Sequence, residues 1–147
     1  MSKGPVVDDV ERLLAIEDIC ALKARYFRCM DERDWDGLAA TMAPDLAFEH
    51  PTIGRHASAA AALEAVKERL CSLAFTVHQG GMPEIDVHSS EQASGIWSLH
   101  SVVMPQGAAG GRPALIHGYG RYFDEYRRID GEWRISGLRL VHLYKGP

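Results

Sequence analysis

The second half of the chain is dominated by four long runs of strand-forming residues, at 75–88, 92–104, 114–129 and 132–144. Short turn signals separate these runs, and the last signal, Asp130-Gly131, is typical of a two-residue hairpin. Strands joined by such short connections pair antiparallel with their neighbours. The sequence therefore predicts a long antiparallel meander that forms a single sheet.

Helical patterns fill the first half of the chain. Residues 8–32 repeat apolar side chains at helical spacing, and residues 58–71 form a second, alanine-rich pattern. Between them, residues 33–42 predict a short helix that Pro44 closes, and residues 46–50 predict a brief strand. The candidate helix caps are Asp8 or Asp9, Asp34 and Ser58.

Helices followed by a meander indicate an α+β fold, with the helices packed on one face of the sheet. The 147 residues fit one domain, which we expect to span 1–147. The strand around Trp97, Leu99 and Val103 is also apolar at the opposite parity, at Ile96 and Val102. A sheet that is apolar on both faces needs a cover on each. Helices can cover one face, and we expect a second subunit on the other.

Composition excludes several classes of protein. The net charge is −4 and no basic patch is interleaved with aromatic residues, which argues against a nucleic-acid partner. No apolar run reaches the roughly 18 residues of a membrane span, and the first residues lack the apolar core of a signal peptide. The three cysteines, Cys20, Cys29 and Cys71, have no paired spacing, so we expect buried thiols in a reducing cytoplasm. A Gly/Ala/Pro loop is predicted at 105–113.

The end of the first helix places polar groups on its apolar side. At about 100° per residue, Asp31 falls within roughly 40° of Leu13, Cys20 and Phe27, and Tyr26 flanks the other edge of the same apolar arc. Two interpretations stay open. Asp31 can end the helix beside a core tyrosine, or both residues can face a pocket.

A buried carboxylate needs a partner, and histidine is the usual catalytic one. His78 is followed by two glycines, which would allow a close approach to the backbone. No ligand spacing indicates a metal site, and neither a nucleophile elbow nor a glycine-rich phosphate loop is present. Acid–base chemistry by Asp, His and Tyr remains. The other histidines divide into three predicted to be exposed, His50, His56 and His88, and three within strands that face either way, His100, His117 and His142.

Several segments together resemble the SnoaL-like branch of the nuclear-transport-factor-2-like superfamily. They are IEDICALKARYFRCMDERDWDGLAATMAPD, TVHQGGMPEIDV, ASGIWSLH and GRYFDEYRRIDGEWRISGLRLVHLY. Within that branch the chain is most similar to the bile acid 7α-dehydratases, and more distantly to scytalone dehydratases and hexachlorocyclohexane dehydrochlorinases. The resemblance implies a cone-shaped α+β barrel, with N-terminal helices on the concave face of a strongly curved, mostly antiparallel sheet. It also implies elimination chemistry without a cofactor, and it favours a homotrimer over a dimer.

The same resemblance suggests roles for individual residues. Tyr26, Asp31 and His78 match the catalytic tyrosine, aspartate and histidine of the bile acid enzymes. Two positions differ, because Ser101 replaces a second aspartate and His142 replaces an arginine. The implied activity is that of a dehydratase-type lyase acting on a hydroxylated steroid-like, polyketide or aromatic small molecule.

Other residues are candidates for contact with that small molecule, although core packing is the alternative for the apolar ones. The candidates are Trp97, Leu99, His100, Ser101, Tyr119 and His142, with Phe48 and Phe75 as further apolar wall. Two other functions remain open: a non-catalytic binding protein on the same fold, and an isomerase or hydrolase that uses the same Asp and His.

Overall fold

A computed structural model describes residues 7–107 and 114–147. Most of the predicted loop at 105–113 therefore lies outside the described residues. The elements in chain order are α1 (Asp9–Glu32), α2 (Trp35–Ala40), β1 (Met42–His50), β2 (Gly54–His56), α3 (Ala59–Cys71), β3 (Leu73–Val87), β4 (Gln92–Pro105), β5 (Ile116–Ile129) and β6 (Glu132–Gly146). Within the described ranges, no helix is long and apolar enough to cross a membrane.

The predicted caps begin all three helices. The Asp8 carboxylate accepts a hydrogen bond of 2.8 Å from the Glu11 amide, and Asp34 accepts one of 2.9 Å from the Gly37 amide. The Ser58 hydroxyl accepts one of 3.2 Å from the Ala61 amide. Each side chain satisfies an amide that the first helical turn leaves without a partner.

The strands form an open six-stranded sheet in the order β2-β1-β6-β5-β4-β3. All pairs are antiparallel except β1 with β6, which is parallel. The α+β prediction is therefore confirmed, as a curved and unclosed sheet with the N-terminal helices on its concave face. Alternation along β4 defines the two faces: Leu99 and Ser101 are buried on the concave face, whereas His100 and Val102 are half-buried on the convex face.

The predicted role of Pro44 was wrong, because this proline lies inside a strand. α2 already ends at Ala40, and β1 begins at Met42, earlier than the predicted strand. Pro44 sits where the pairing of β1 with β6 is irregular, between Met42 and Ala47. Proline has no backbone N–H to donate, and it is tolerated there because the hydrogen-bond ladder is interrupted at this point.

The prediction that Leu13 belongs to the inward side of α1 was also wrong, since 65% of its surface is exposed. Leu13 lies about 200° around the helix from Ala15, which is buried. The observed inward stripe continues through Ile19 and Leu22 and includes a lysine, Lys23.

Lys23 forms a buried ion pair that joins α1 to β5. Its Nζ lies 2.6 Å from Asp124 Oδ2, and both side chains are fully buried. The Tyr126 hydroxyl donates to the same oxygen at 2.8 Å, and Trp97 Nε1 donates to the Tyr126 hydroxyl at 2.9 Å. The Lys23 ammonium also lies 3.8 Å from the ring centroid of Tyr122, in reach of a cation–π interaction.

Candidate active site

Asp31 at the end of α1 and His78 in β3 are in direct contact, although 47 residues separate them. Asp31 Oδ1 lies 2.6 Å from His78 Nδ1, and Asp31 Oδ2 accepts a hydrogen bond of 2.8 Å from the His78 backbone amide. An ionised carboxylate only accepts hydrogen bonds, so Nδ1 carries the proton of the short contact. In the neutral ring, the other nitrogen of His78, Nε2, then carries no proton and can accept a hydrogen bond.

Thr76 binds the carboxylate of Asp31 directly, and Arg33 acts on it through Thr76. The Thr76 hydroxyl donates to Asp31 Oδ1 at 2.9 Å, and Arg33 Nη1 donates to Thr76 Oγ1 at 2.9 Å. Arg33 ends α1 in the left-handed conformation, with φ of 61°, and its Nη1 also donates to the Met30 carbonyl at 3.0 Å. The carboxylate therefore accepts from three donors, which together fix its orientation.

Phe27 lies against the His78 ring on the helix side. The two rings are parallel within 4°, with centroids 6.3 Å apart. A Cβ at Gly80 would overlap the Phe27 ring, so glycine is required for this approach, whereas Gly81 faces open space. The close approach predicted from the glycine pair thus occurs at Gly80 alone.

His78 is part of the wall of a cavity that contacts α1, α3 and the concave face of the sheet. Tyr26 and Tyr122 form a buried part of the same wall. Burial and the negative charge of Asp124 raise the pKa of Tyr26, and burial together with the neighbouring Tyr26 raises that of Tyr122. Both phenols therefore keep their protons at neutral pH and can donate hydrogen bonds. The apolar wall consists of Met30, Phe48, Ile53, Val66, Leu70, Leu73, Leu99, Val103, Ile116 and Leu140.

The cavity wall also includes two further histidines, His50 and His142, and two cations, Arg69 and Lys145. The rings of His50 and His142 meet edge to face, with centroids 5.8 Å apart. Burial lowers the pKa of His50 to about 3, with further contributions from His142 and Lys145. Burial and the charge of Lys145 also lower the pKa of His142. Both rings are therefore neutral near pH 7, and the permanent cations of the wall are Arg69 and Lys145.

A sequence profile of the SnoaL-like domain matches residues 11–139. The chain belongs to the SnoaL-like family. Several solved structures have the same fold, and each matches most of this SnoaL-like chain.

A hexachlorocyclohexane dehydrochlorinase from Novosphingobium barchaimii has a TM-score of 0.81 at 23% identity, covering 95% of this chain and 94% of its own. A protein assigned as a scytalone dehydratase from Novosphingobium aromaticivorans has a TM-score of 0.84 at 18% identity, and the match covers 94% of this chain and 90% of the other. A Mycobacterium tuberculosis protein of unknown function has a TM-score of 0.73 at 29% identity, and the match covers 97% of this chain and 78% of the other. At such low identity, the likeness to the first two establishes the shared fold.

The structure brings together six of the residues singled out from the sequence. They are Tyr26, Asp31, His78, Leu99, Ser101 and His142, of which all but Asp31 line the cavity and Asp31 contacts His78. Phe48 also lies on the wall.

The remaining candidates lie elsewhere. His100, Tyr119 and Phe75 occupy the convex face, where the His100 and Tyr119 rings stack with centroids 4.6 Å apart. Trp97 points to the concave face but is used in the core, where it donates to Tyr126. Strand parity decides these positions, since a residue one step along a strand faces the opposite side.

Sequence reasoning missed two parts of the site. His50 was predicted to be exposed, but β1 continues to this residue and places it half-buried on the cavity wall, so that prediction was wrong. His56 is likewise half-buried, with Nε2 3.1 Å from the Ile53 carbonyl. The roles of Thr76 and Arg33 were also missed. Thr76 shares a strand face with His78 two residues later, a period-two signal that the sequence does carry.

Proposed function

We propose that this SnoaL-like protein is a cofactor-independent lyase of the dehydratase type, with His78 as its general base. The observation that carries the proposal is the 2.6 Å contact between Asp31 and a histidine on the wall of a largely apolar cavity. The contact lies within the distance range of a working acid–base pair. The SnoaL-like fold is shared with structures named as a dehydrochlorinase and a dehydratase, which supports the same class of reaction.

In the proposed reaction, His78 Nε2 removes a proton from a carbon next to a carbonyl group. The C–H electron pair forms a double bond to the adjacent carbon, and the C–O bond of the hydroxyl group on that adjacent carbon breaks. The imidazolium then returns its proton to the departing oxygen, so that water leaves and His78 is neutral again. Asp31 keeps Nδ1 protonated and stabilises the transient imidazolium, as an aspartate does for a catalytic histidine elsewhere.

Tyr26 is the proposed hydrogen-bond donor of the site. Its neutral phenol can donate to the substrate oxygen on which negative charge develops. Leu99, Ser101 and His142 are proposed contacts of the bound molecule, because all three lie on the cavity wall. The apolar wall suits a hydroxylated ring system such as a steroid-like, polyketide or aromatic compound.

The test is loss of water from a panel of hydroxylated ring ketones, followed by the ultraviolet absorbance of the enone product. We expect His78→Ala to lower the rate by about 10²- to 10⁴-fold, the usual contribution of a positioned base. His88→Ala is the matched control, because His88 is exposed and away from the cavity.

Equal rates for the wild type and His78→Ala would refute the proposed mechanism. Binding of these ketones without turnover would instead favour a non-catalytic binding protein. Migration of a double bond or hydrolysis, if also abolished by His78→Ala, would replace elimination by isomerase or hydrolase chemistry on the same residues.

We also propose that the protein self-associates through the convex face of the sheet. Phe75, Val77, Tyr119 and Val141 all belong to this face, and each exposes more than a third of its surface. An exposed apolar sheet face of this kind is typical of a subunit interface. The family resemblance favours a trimer over a dimer.

A further inference from the structure

The cavity wall has an unbalanced charge. Its fixed charges are the guanidinium of Arg69 from α3 and the ammonium of Lys145 from β6. Among the residues that the structure describes, the wall contains no Asp or Glu. The carboxylate behind it, Asp31, is already engaged by Thr76 and His78.

The two cations also lack an opposite charge of their own. Within 7–107 and 114–147, neither Arg69 nor Lys145 enters an ion pair. The hydrogen bond recorded for the Arg69 guanidinium is to the hydroxyl of Ser72, at 3.0 Å. Partial burial lowers the pKa of Lys145, and the positive charge of Arg69 on the same cavity wall lowers it further. Two like charges at one apolar cavity repel each other, and an anion bound between them would offset that repulsion by attracting both.

The positions of the cations also indicate which end of the cavity is open. Lys145 and Thr52 are exposed, and Arg69 is half-buried, whereas Tyr26, Tyr122 and Leu99 are buried. The two cations therefore lie at the exposed end of the cavity, whereas the buried part of the wall consists mainly of tyrosines and apolar side chains. Neutral His50 and His142 lie on the same wall and can donate further hydrogen bonds to an anion.

From this arrangement we infer that the natural ligand is an apolar ring compound that carries an anionic group, and that Arg69 and Lys145 bind this group at the opening of the cavity. The shared chemistry is that of a carboxylate, sulfate or phosphate on a hydrophobic body. The inference extends the proposed function by naming the class of its substrate. It places the anion at the open end and leaves the apolar body for the part of the wall that includes His78.

The experiment compares two probes of the same shape, 2-naphthoate and its neutral amide, 2-naphthamide. Binding to the whole protein is followed by chemical-shift changes in ¹H–¹⁵N correlation spectra, which also locate the site. We expect naphthoate to bind at least about fivefold more tightly than naphthamide, a difference typical of partly exposed charge pairs. The preference should shrink as salt is added, since salt screens exposed charges.

Two double variants isolate the cause. Arg69→Gln/Lys145→Gln should make the two probes bind equally while leaving naphthamide unaffected. Arg12→Gln/Arg25→Gln removes the same charge from the exposed surface of α1 and should keep the preference. Unchanged dispersion of the spectra confirms that each variant is folded.

Three results would overturn the inference: equal binding of both probes to the wild type, a preference that survives Arg69→Gln/Lys145→Gln, or the absence of shifts at cavity residues at millimolar probe. Repeating the titration with naphthyl sulfate and naphthyl phosphate shows which of the three anionic groups the site prefers. His78→Ala should keep the preference for naphthoate, because binding requires no turnover. The anion site and the proposed elimination can therefore fail independently.

Discussion

At the scale of single residues, the site depends on the hydrogen bonds that the two carboxylate oxygens of Asp31 accept. Oδ2 accepts from the backbone of His78, while Oδ1 accepts from the ring of His78 and from Thr76. A leucine at this position would pack but could not orient a ring. The carboxylate near the end of α1 therefore fixes the position of a histidine in β3.

At the scale of elements, the ion pair of Lys23 and Asp124 is the polar connection between α1 and β5. Lys23→Met would leave Asp124 buried without its cation, and we expect the free energy of unfolding to fall by about 3–5 kcal/mol. Adding Asp124→Asn removes the stranded charge and keeps an acceptor for Tyr126, so the double variant should recover at least half of the loss. Urea denaturation at one fixed protein concentration measures the free energy of unfolding of the single and the double variant.

The control for this prediction is an exposed pair on the same helix. Arg28→Met breaks the surface contact with Glu32, of 3.1 Å, and should cost at most about 0.5 kcal/mol. If Lys23→Met were as stable as Arg28→Met, or the double variant no better than Lys23→Met, the buried pair would not have the role assigned to it.

Much of this element-scale structure can be predicted from the sequence, because local chemistry determines it. Each of the three caps joins a side chain to an amide three residues later, and the Asp130-Gly131 turn joins Ile129 to Glu132. The long-range pairings are not. The parallel pairing of β1 with β6 gives a strand that contains Pro44 and places His50 on the cavity wall, and neither follows from local pattern.

The candidate site divides in the same way. Resemblance and helical azimuth select Asp31 and Tyr26, but strand parity alone cannot say whether His100 or Ser101 faces the cavity. Ser101 does, because the register of β4 with β3 pairs it with His78. The pair of cations at the exposed end of the cavity was not predicted, since Arg69 and Lys145 lie 76 positions apart in the sequence and meet only through the fold.

At the scale of the whole molecule, the convex face gives a prediction about assembly. We expect the 16.2 kDa chain to sediment as a trimer and Val141→Glu to sediment as a monomer, because a buried carboxylate without a partner opposes the interface. Val10→Glu is the matched control, on the exposed start of α1. A monomeric wild type, or a Val141→Glu variant that assembles like it, would show that the convex face is no interface. A dimer would retain the interface and correct the number of subunits.

The most direct test of the central claim is the protonation of the His78 ring, measured by ¹⁵N NMR near pH 7.5. The account predicts a proton on Nδ1 and an unprotonated Nε2, and it predicts that Asp31→Asn changes this pattern. A proton on Nε2 in the wild type, or a pattern unaffected by Asp31→Asn, would contradict the claim that Asp31 holds His78 as a base toward the cavity.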